Sequence, residues 1–204
     1  SNPFLWATWL PRLMVGDNSC AWSVWFMANY YFDKVPEDDM SDWLRKHTDL
    51  VKQLGRERSD AGDRVTIEGE NTFLLRRRSG LELKGKPDLV SHGADRLTVV
   101  EAKTGARRDA DVAQVKLYMA CLPRFSDAYK AAPLHGEVAY RDGHRVRIEP
   151  SELTTGFTST LNRWIEEQKI KPVVGPPFPL RDAAAAHALV SDRRNYGKVI
   201  LLPE

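Results

Sequence analysis

With 204 residues, 42% of them hydrophobic, the chain is long enough for one domain, or a core with a small appendage, and buries a substantial interior. Its formal charge of +2 is too small to argue for nucleic acid by itself. Basic residues still gather at Arg76-Arg77-Arg78, Arg107-Arg108, Arg141 to Arg147 and Arg193-Arg194, each a solvated face or a phosphate track. Cys20 and Cys121, with no C-x-x-C pair, leave zinc unsupported and fit a reducing cytoplasm. There is no membrane-length apolar run and no secretory signal, and Ser1-Asn2 without an initiator methionine reads as a remnant of tag cleavage.

Phe4 to Phe32 is rich in aromatics, among them Trp6, Trp9, Trp22, Trp25, Phe26, Tyr30 and Tyr31, and breaks at Gly16-Asp17-Asn18. It predicts two short helices, the second capped by Asn18 or Ser19, whose rings either cover a sheet or offer a stacking surface for unpaired bases. Pro36 to Asp42 is an acidic connection ending in Ser41 or Asp42 as a cap. Trp43 to Glu57 is predicted as a helix with Trp43, Leu44, His47, Leu50, Val51 and Leu54 along one side, where His47 is a satisfied core group or a functional one. Val65 to Arg77 predicts the first strand, and Glu68 within it is an exposed glutamate paired with an arginine or part of a site. Ser79-Gly80 turns into a strand from Leu81 to Val90, and Ser91 to Arg96 turns that strand into Leu97 to Glu101.

That antiparallel pair brings Asp88 toward Glu101, and Lys103, two residues on, shares the face of Glu101. Two carboxylates beside an ammonium suit a hard divalent cation, Mg²⁺ or Mn²⁺, which takes oxygen ligands and keeps waters; the lysine then holds a water or a phosphate. Beyond the loop 104–108, a helix capped by Asp109 or Asp111 is predicted to run to about Leu122 and stop at Pro123. Gln114 and Tyr118 share one of its faces, together with Asp111. Gly136 to Tyr140 and Arg145 to Ile148 predict a hairpin around Asp142-Gly143. Glu149-Pro150-Ser151 then opens a helix to about Lys169, with Leu153, Phe157, Leu161, Trp164 and Ile165 apolar, and Lys171 to Pro179 is extended.

Pro87-Asp88, Glu101-Ala102-Lys103 and Gln114-x-x-x-Tyr118 together resemble the motifs of PD-(D/E)XK nucleases of the RecB-like branch. Cys20-Ala21-Trp22 followed by Trp25-Phe26 is similar to the amino-terminal segment of such nucleases, including the CRISPR adaptation nuclease. The further cysteines of its iron-sulfur members have no counterpart here, so no cluster is expected. The implied fold is α/β, a restriction-endonuclease-like αβββαβ core with a central mixed sheet. It divides into a helical aromatic-rich segment (3–40), the nuclease core (41–170) and a proline-rich connection with a helix-strand appendage (171–204).

The resemblance implies a metal-dependent deoxyribonuclease of repair, recombination, antiphage or CRISPR-type processing, located in the cytoplasm. Asp88, Glu101 and Lys103 would be its catalytic residues. Asp88, Glu101, the Ala102 carbonyl and His47 would hold Mg²⁺ or Mn²⁺, and Glu68 would help a second ion. Gln114 and Tyr118, with Arg107, Arg108 and Lys116, would contact single- or double-stranded DNA, and a helicase would be a fitting partner. A nuclease-fold module that binds DNA or a protein without cutting is the alternative. Phe178 through Leu201 is similar to the closing helix and strand of medium-chain dehydrogenases, but with no Gly-x-Gly-x-x-Gly loop anywhere no NAD is expected.

Overall fold

The computed structural model describes residues 4–17, 21–29, 40–76, 80–166, 177–192, 194, 199, 201 and 202. Cys20, Tyr30, Tyr31, the caps Asn18 and Ser19, and most of the acidic and proline-rich connections lie outside them. In chain order the elements are β1 (Phe4–Trp6), α1 (Leu10–Met14), α2 (Ala21–Asn29), α3 (Met40–Asp60), β2 (Arg64–Ile67), β3 (Phe73–Arg76), β4 (Glu82–Gly85), β5 (Leu89–His92) and β6 (Leu97–Lys103). They continue as α4 (Asp109–Phe125), β7 (Leu134–Tyr140), β8 (Arg145–Ile148), α5 (Thr155–Glu166), β9 (Phe178–Pro179), α6 (Ala183–Ser191) and β10 (Leu201–Leu202). The architecture is α/β with mixed sheets.

A five-stranded sheet in the order β2-β5-β6-β7-β8 forms the centre. Its β6 and β7 run parallel and are joined by α4, as a parallel pair requires a crossover; its other neighbours are antiparallel. Residues 97–102 of β6 are buried without a break because helices cover both faces of the sheet. On one face Leu50, Val51 and Leu54 of α3 pack against Leu89, Val100, Ala102 and Ala139. On the other, Val115, Tyr118, Met119 and Leu122 of α4 join Val99, Val138, Tyr140 and Ile148. A Cβ added at Gly136 of β7 would lie 2.5 Å from Val115 Cγ1 and 2.8 Å from Met119 Sδ, so the close approach of α4 to the sheet needs glycine there.

Two predicted strands are each split between sheets. The stretch 65–77 breaks at Glu68, whose φ of 38° starts a 3-10 turn over Glu68–Asn71. The buried Asn71 amide holds that turn, donating to the Thr66 carbonyl at 3.0 Å and accepting from Thr66 Oγ1 at 2.7 Å. The chain is thereby redirected from β2 in the central sheet to β3 in a second, three-stranded sheet of order β1-β4-β3. The stretch 81–90 breaks in the same way at Lys86-Pro87-Asp88, between β4 in the second sheet and β5 in the first. Alternation of apolar residues continues across both breaks, so it does not report a change of sheet.

The amino-terminal segment is not purely helical: β1 pairs parallel with β4 before α1 and α2 begin. Leu5, Leu10, Leu13 and Val24 enter the same core as α4, so this segment packs as part of that core. The helix α3 begins at Met40, three residues before the expected start, leaving Ser41 and Asp42 inside its first turn. Pro123 lies inside α4 without ending it. A proline one turn from a helix end forfeits a single backbone bond, and the Ser126 N–H to Leu122 carbonyl contact at 3.1 Å closes the helix beyond it. The hairpin at Asp142-Gly143 is present, with Gly143 at φ 87°. At the carboxyl end β9 and β10 pair in parallel, with α6 between them in sequence. Among the described residues no helix is long and apolar enough to cross a membrane.

Gly136→Ala is expected to destabilise the fold by about 1–3 kcal/mol, the usual range for an overpacked core. Chemical denaturation of the two proteins measures it.

Candidate functional site

The antiparallel ladder between β5 and β6 ends at the pair Leu89 and Val100. The next residues of the chain toward its amino end are Asp88 and Pro87, and the Pro87 carbonyl is turned away from β6 to Asn71 Nδ2, at 3.4 Å. The Asp88 side chain takes over: its Oδ2 accepts the Ala102 N–H at 2.8 Å. The β6 strand therefore runs on through Glu101 and Lys103 with a carboxylate, rather than a strand, on one side. That opening at the end of the sheet is where the charged groups collect.

Glu101 and Lys103 project together toward α4. Glu101 Oε1 accepts from Lys103 Nζ at 2.9 Å and from Gln114 Nε2 at 2.6 Å, and Lys103 also donates to Gln114 Oε1 at 2.9 Å. Gln114 Nε2 lies 3.0 Å from the Tyr118 hydroxyl. The second oxygen, Glu101 Oε2, is buried with no hydrogen-bond partner. From the opposite face, α3 supplies His47, whose Nε2 is 3.3 Å from Asp88 Oδ2 and whose ring stacks on Trp43 at 5.3 Å. Asp111, on α4, is 3.9 Å from Lys103 Nζ and accepts from the Tyr140 hydroxyl at 3.0 Å and the Arg108 N–H at 3.1 Å.

Burial dominates the electrostatics. Glu101 is 6% exposed and Asp88 8%. Loss of water, and then the nearby Asp88 charge, push the Glu101 carboxyl up to about 7, with Lys103 opposing. Burial also disfavours the Lys103 ammonium, but the carboxylates of Glu101, Asp111 and Asp88 outweigh it and hold the lysine above its ordinary value. The hydrogen bond to Asp88 raises His47 against its own burial. Burial lifts Tyr118 far above the usual phenol. A carboxyl that titrates near neutrality beside a fixed ammonium marks a group poised for proton or cation exchange.

The remaining predicted site residues fall into two groups. Gln114 and Tyr118 point inward and hold Glu101 and each other. Glu68 is close through its backbone, whose N–H donates to the Asp88 carbonyl at 2.9 Å, while its carboxylate faces Lys86 at 3.7 Å instead of an arginine. Arg107 pairs with Asp142 at 2.5 Å, and Lys116 pairs with Glu152 at 3.2 Å. The Arg108 side chain is exposed. Tyr140 and Trp43 are members of the network that the sequence pattern does not pick out as such. Each reaches its partner only because β7, or the first turns of α3, end at the same edge. Among the described residues no three His, Cys, Asp or Glu groups are already gathered at ligating distance of one point.

The fold and this cluster define an α/β protein with a buried acid–base centre at one end of a mixed sheet. A family model described as zinc-binding dehydrogenase matches residues 88–201, more than half of the chain. The chain belongs to that family. No curated protein matches it. A solved structure named "Crystal structure of SSO0001" is similar at 14% identity and a TM-score of 0.45, over 83% of this chain and 78% of the other, a likeness too loose to carry an argument.

Family membership overturns the resemblance to PD-(D/E)XK nucleases and the activities inferred from it, both the Mg²⁺- or Mn²⁺-dependent deoxyribonuclease and its silent binding alternative. The physical reason is that Pro-Asp and Glu-x-Lys on adjacent strands specify where a ladder stops and which charges meet there. They specify no family. The matched span also takes in α6 and reaches β10, so the likeness of that end to dehydrogenases is upheld. The exclusions of zinc and of NAD are corrected with it: cysteine spacing and a missing glycine motif do not decide against a cofactor in a dehydrogenase family.

A carboxyl that holds its proton more tightly in the folded than in the unfolded state stabilises the fold at low pH and loses that contribution as pH rises. Stability should therefore fall between the ordinary Glu101 value of 4.5 and about 7, by on the order of 3 kcal/mol in chelator-treated protein. The raised His47 acts in the same sense through its own titration. Glu101→Gln is expected to flatten the slope and raise the melting temperature at pH 8, as followed by circular dichroism.

Proposed function

We propose that Asp88, Glu101 and His47, which do not stand at ligating distance of one point in this structure, draw together on one zinc-type divalent cation and serve an enzyme that acts on an oxygen-bearing substrate. The observation that carries this is the unpartnered Oε2 of Glu101, a buried carboxylate oxygen with no donor, next to a second carboxylate and an imidazole. A buried carboxylate oxygen left without a donor is costly unless a cation or proton completes it. Imidazole nitrogen and carboxylate oxygen are both ordinary zinc ligands, and three protein ligands leave a position for water or substrate. The family description, zinc-binding dehydrogenase, agrees with that donor set. When bound, the metal would supply Lewis acidity toward a carbonyl or hydroxyl oxygen.

The chain's own groups then have separate tasks. Asp88 is aimed by the Ala102 N–H, which leaves its carboxylate unable to swing away from the opening. Trp43 covers one side of the His47 ring. Lys103, held between Glu101, Gln114 and Asp111, keeps a positive charge and a proton beside the substrate position. Without the cation Glu101 would hold its proton up to about pH 7, and with it the deprotonated carboxylate would serve as a ligand. The finer fold proposed is the αβββαβ core; what supports it is the succession α3, β2, β5, β6, α4, β7, with the two helices on opposite faces.

Calorimetric titration of the chelator-treated protein with Zn²⁺ tests the centre, with the absorption spectrum of a Co²⁺ adduct as a second readout. One ion per chain is expected, with affinity lowered about tenfold or more by His47→Ala or Asp88→Asn. Because ligation displaces protons from His47 and Glu101, apparent affinity should increase as pH is raised toward 8. A metal that binds equally to the variants would remove the proposal.

A further inference from the structure

A second charged group lies at the other end of α3. Arg58 is eleven residues beyond His47, roughly 16 Å along the helix, and it reaches Glu137 of β7, which is 4% exposed. Arg58 Nη2 donates to Glu137 Oε2 at 2.7 Å, and Arg145 Nη1 of β8 donates to Glu137 Oε1 at 2.9 Å. Arg145 Nη2 donates in addition to Glu57 at 2.8 Å. One buried carboxylate thus fixes two guanidinium planes. They stand at the wall of a cavity of about 350 Å³ whose lining also includes Arg96, His135 and Arg147.

Arg96 and Arg147 have no ion-pair partner among the described residues. Arg58 and Arg145 form an ion-pair network with Glu137 and Glu57, and Arg96 and Arg147 stand outside it. Glu57 and Glu137 are already engaged in orienting Arg58 and Arg145, and Glu149 is taken by His135 at 3.1 Å. Each guanidinium carries five donors in a planar fork, so most of the donors around this cavity are unused. Four arginines and three glutamates line the space, and once Arg58 and Arg145 are paired the guanidinium groups of Arg96 and Arg147 are left to meet a ligand. A phosphoryl group, with three terminal oxygens and close to two negative charges, matches them better than a single carboxylate does. The cavity has the volume of a site for a small molecule.

We propose that this cavity is a binding site for a small phosphorylated anion, separate from the Asp88–Glu101 centre. Beta-sheet geometry builds it: Thr98, His135, Glu137 and Arg147 lie on one face of neighbouring strands in register, Thr98 opposite His135 and Glu137 opposite Arg147.

Titration calorimetry of the full chain with inorganic phosphate and with pyrophosphate, in chloride buffer, tests it. The expected result is one saturable site, with affinity lowered about tenfold by Arg96→Gln and again by Arg147→Gln. Both positions are exposed, so circular dichroism should show these variants folded. Arg76→Gln removes the same charge from β3, away from the cavity, and should change nothing. No saturable binding, or an equal loss in Arg76→Gln, would overturn the site. Tighter binding of malonate than of phosphate would overturn its assignment to phosphoryl groups.

Discussion

The contact from the Ala102 amide to the Asp88 carboxylate is the constraint from which the active end of the molecule follows. The ladder of β5 with β6 stops at Leu89, the Pro87 carbonyl turns to Asn71, and the Ala102 N–H beyond it needs another acceptor. The Asp88 side chain is that acceptor. By standing in for a backbone carbonyl it is pinned at the sheet end, and it also binds His47 from α3. Glu101 and Lys103 then emerge on the opposite face, toward Gln114 and Asp111 of α4. His47 of α3 and Gln114 and Asp111 of α4 meet their partners there, where the ladder of β5 with β6 stops.

Around that point the protein keeps charges where burial penalises them. A buried glutamate, a mostly buried lysine and a histidine bonded to aspartate together stabilise the fold less than well-packed apolar residues of similar volume could. The Glu137 cluster has the same character at the far end of α3: a carboxylate deep in β7 is used to aim arginines toward a cavity. One helix thus borders two charged sites, with an apolar stripe of Leu50, Val51 and Leu54 between them holding it to the sheet.

The correction of family carries a general point about short motifs. Asp88 does meet Glu101-Ala102-Lys103, through the Ala102 N–H, just beyond the end of the ladder between β5 and β6. Meeting is a property of the hairpin. The chemistry that the group performs depends on what else enters the space, and those participants come from α3, α4 and β7, far away in sequence. The match that assigns the family extends instead across more than a hundred residues and includes the closing helix.

The sequence by itself determined the local pieces whose physical cause is local. Alternation in Leu97 to Lys103 made a buried strand, Asp142-Gly143 made its turn, and the spacing of Gln114 and Tyr118 put both on one helix face. It did not reveal that 65–77 and 81–90 each change sheet, because alternation persists through the 3-10 turn at Glu68 and through Lys86-Pro87-Asp88. Pro123, which signals a helix end, was outweighed by the contacts of α4 with two sheets. The raised pKa of Glu101, the stacking of Trp43 on His47 and the gathering of Arg58, Arg145 and Glu137 were decided by the tertiary structure alone. Burial and the approach of charges separated by scores of residues exist only once the chain is packed.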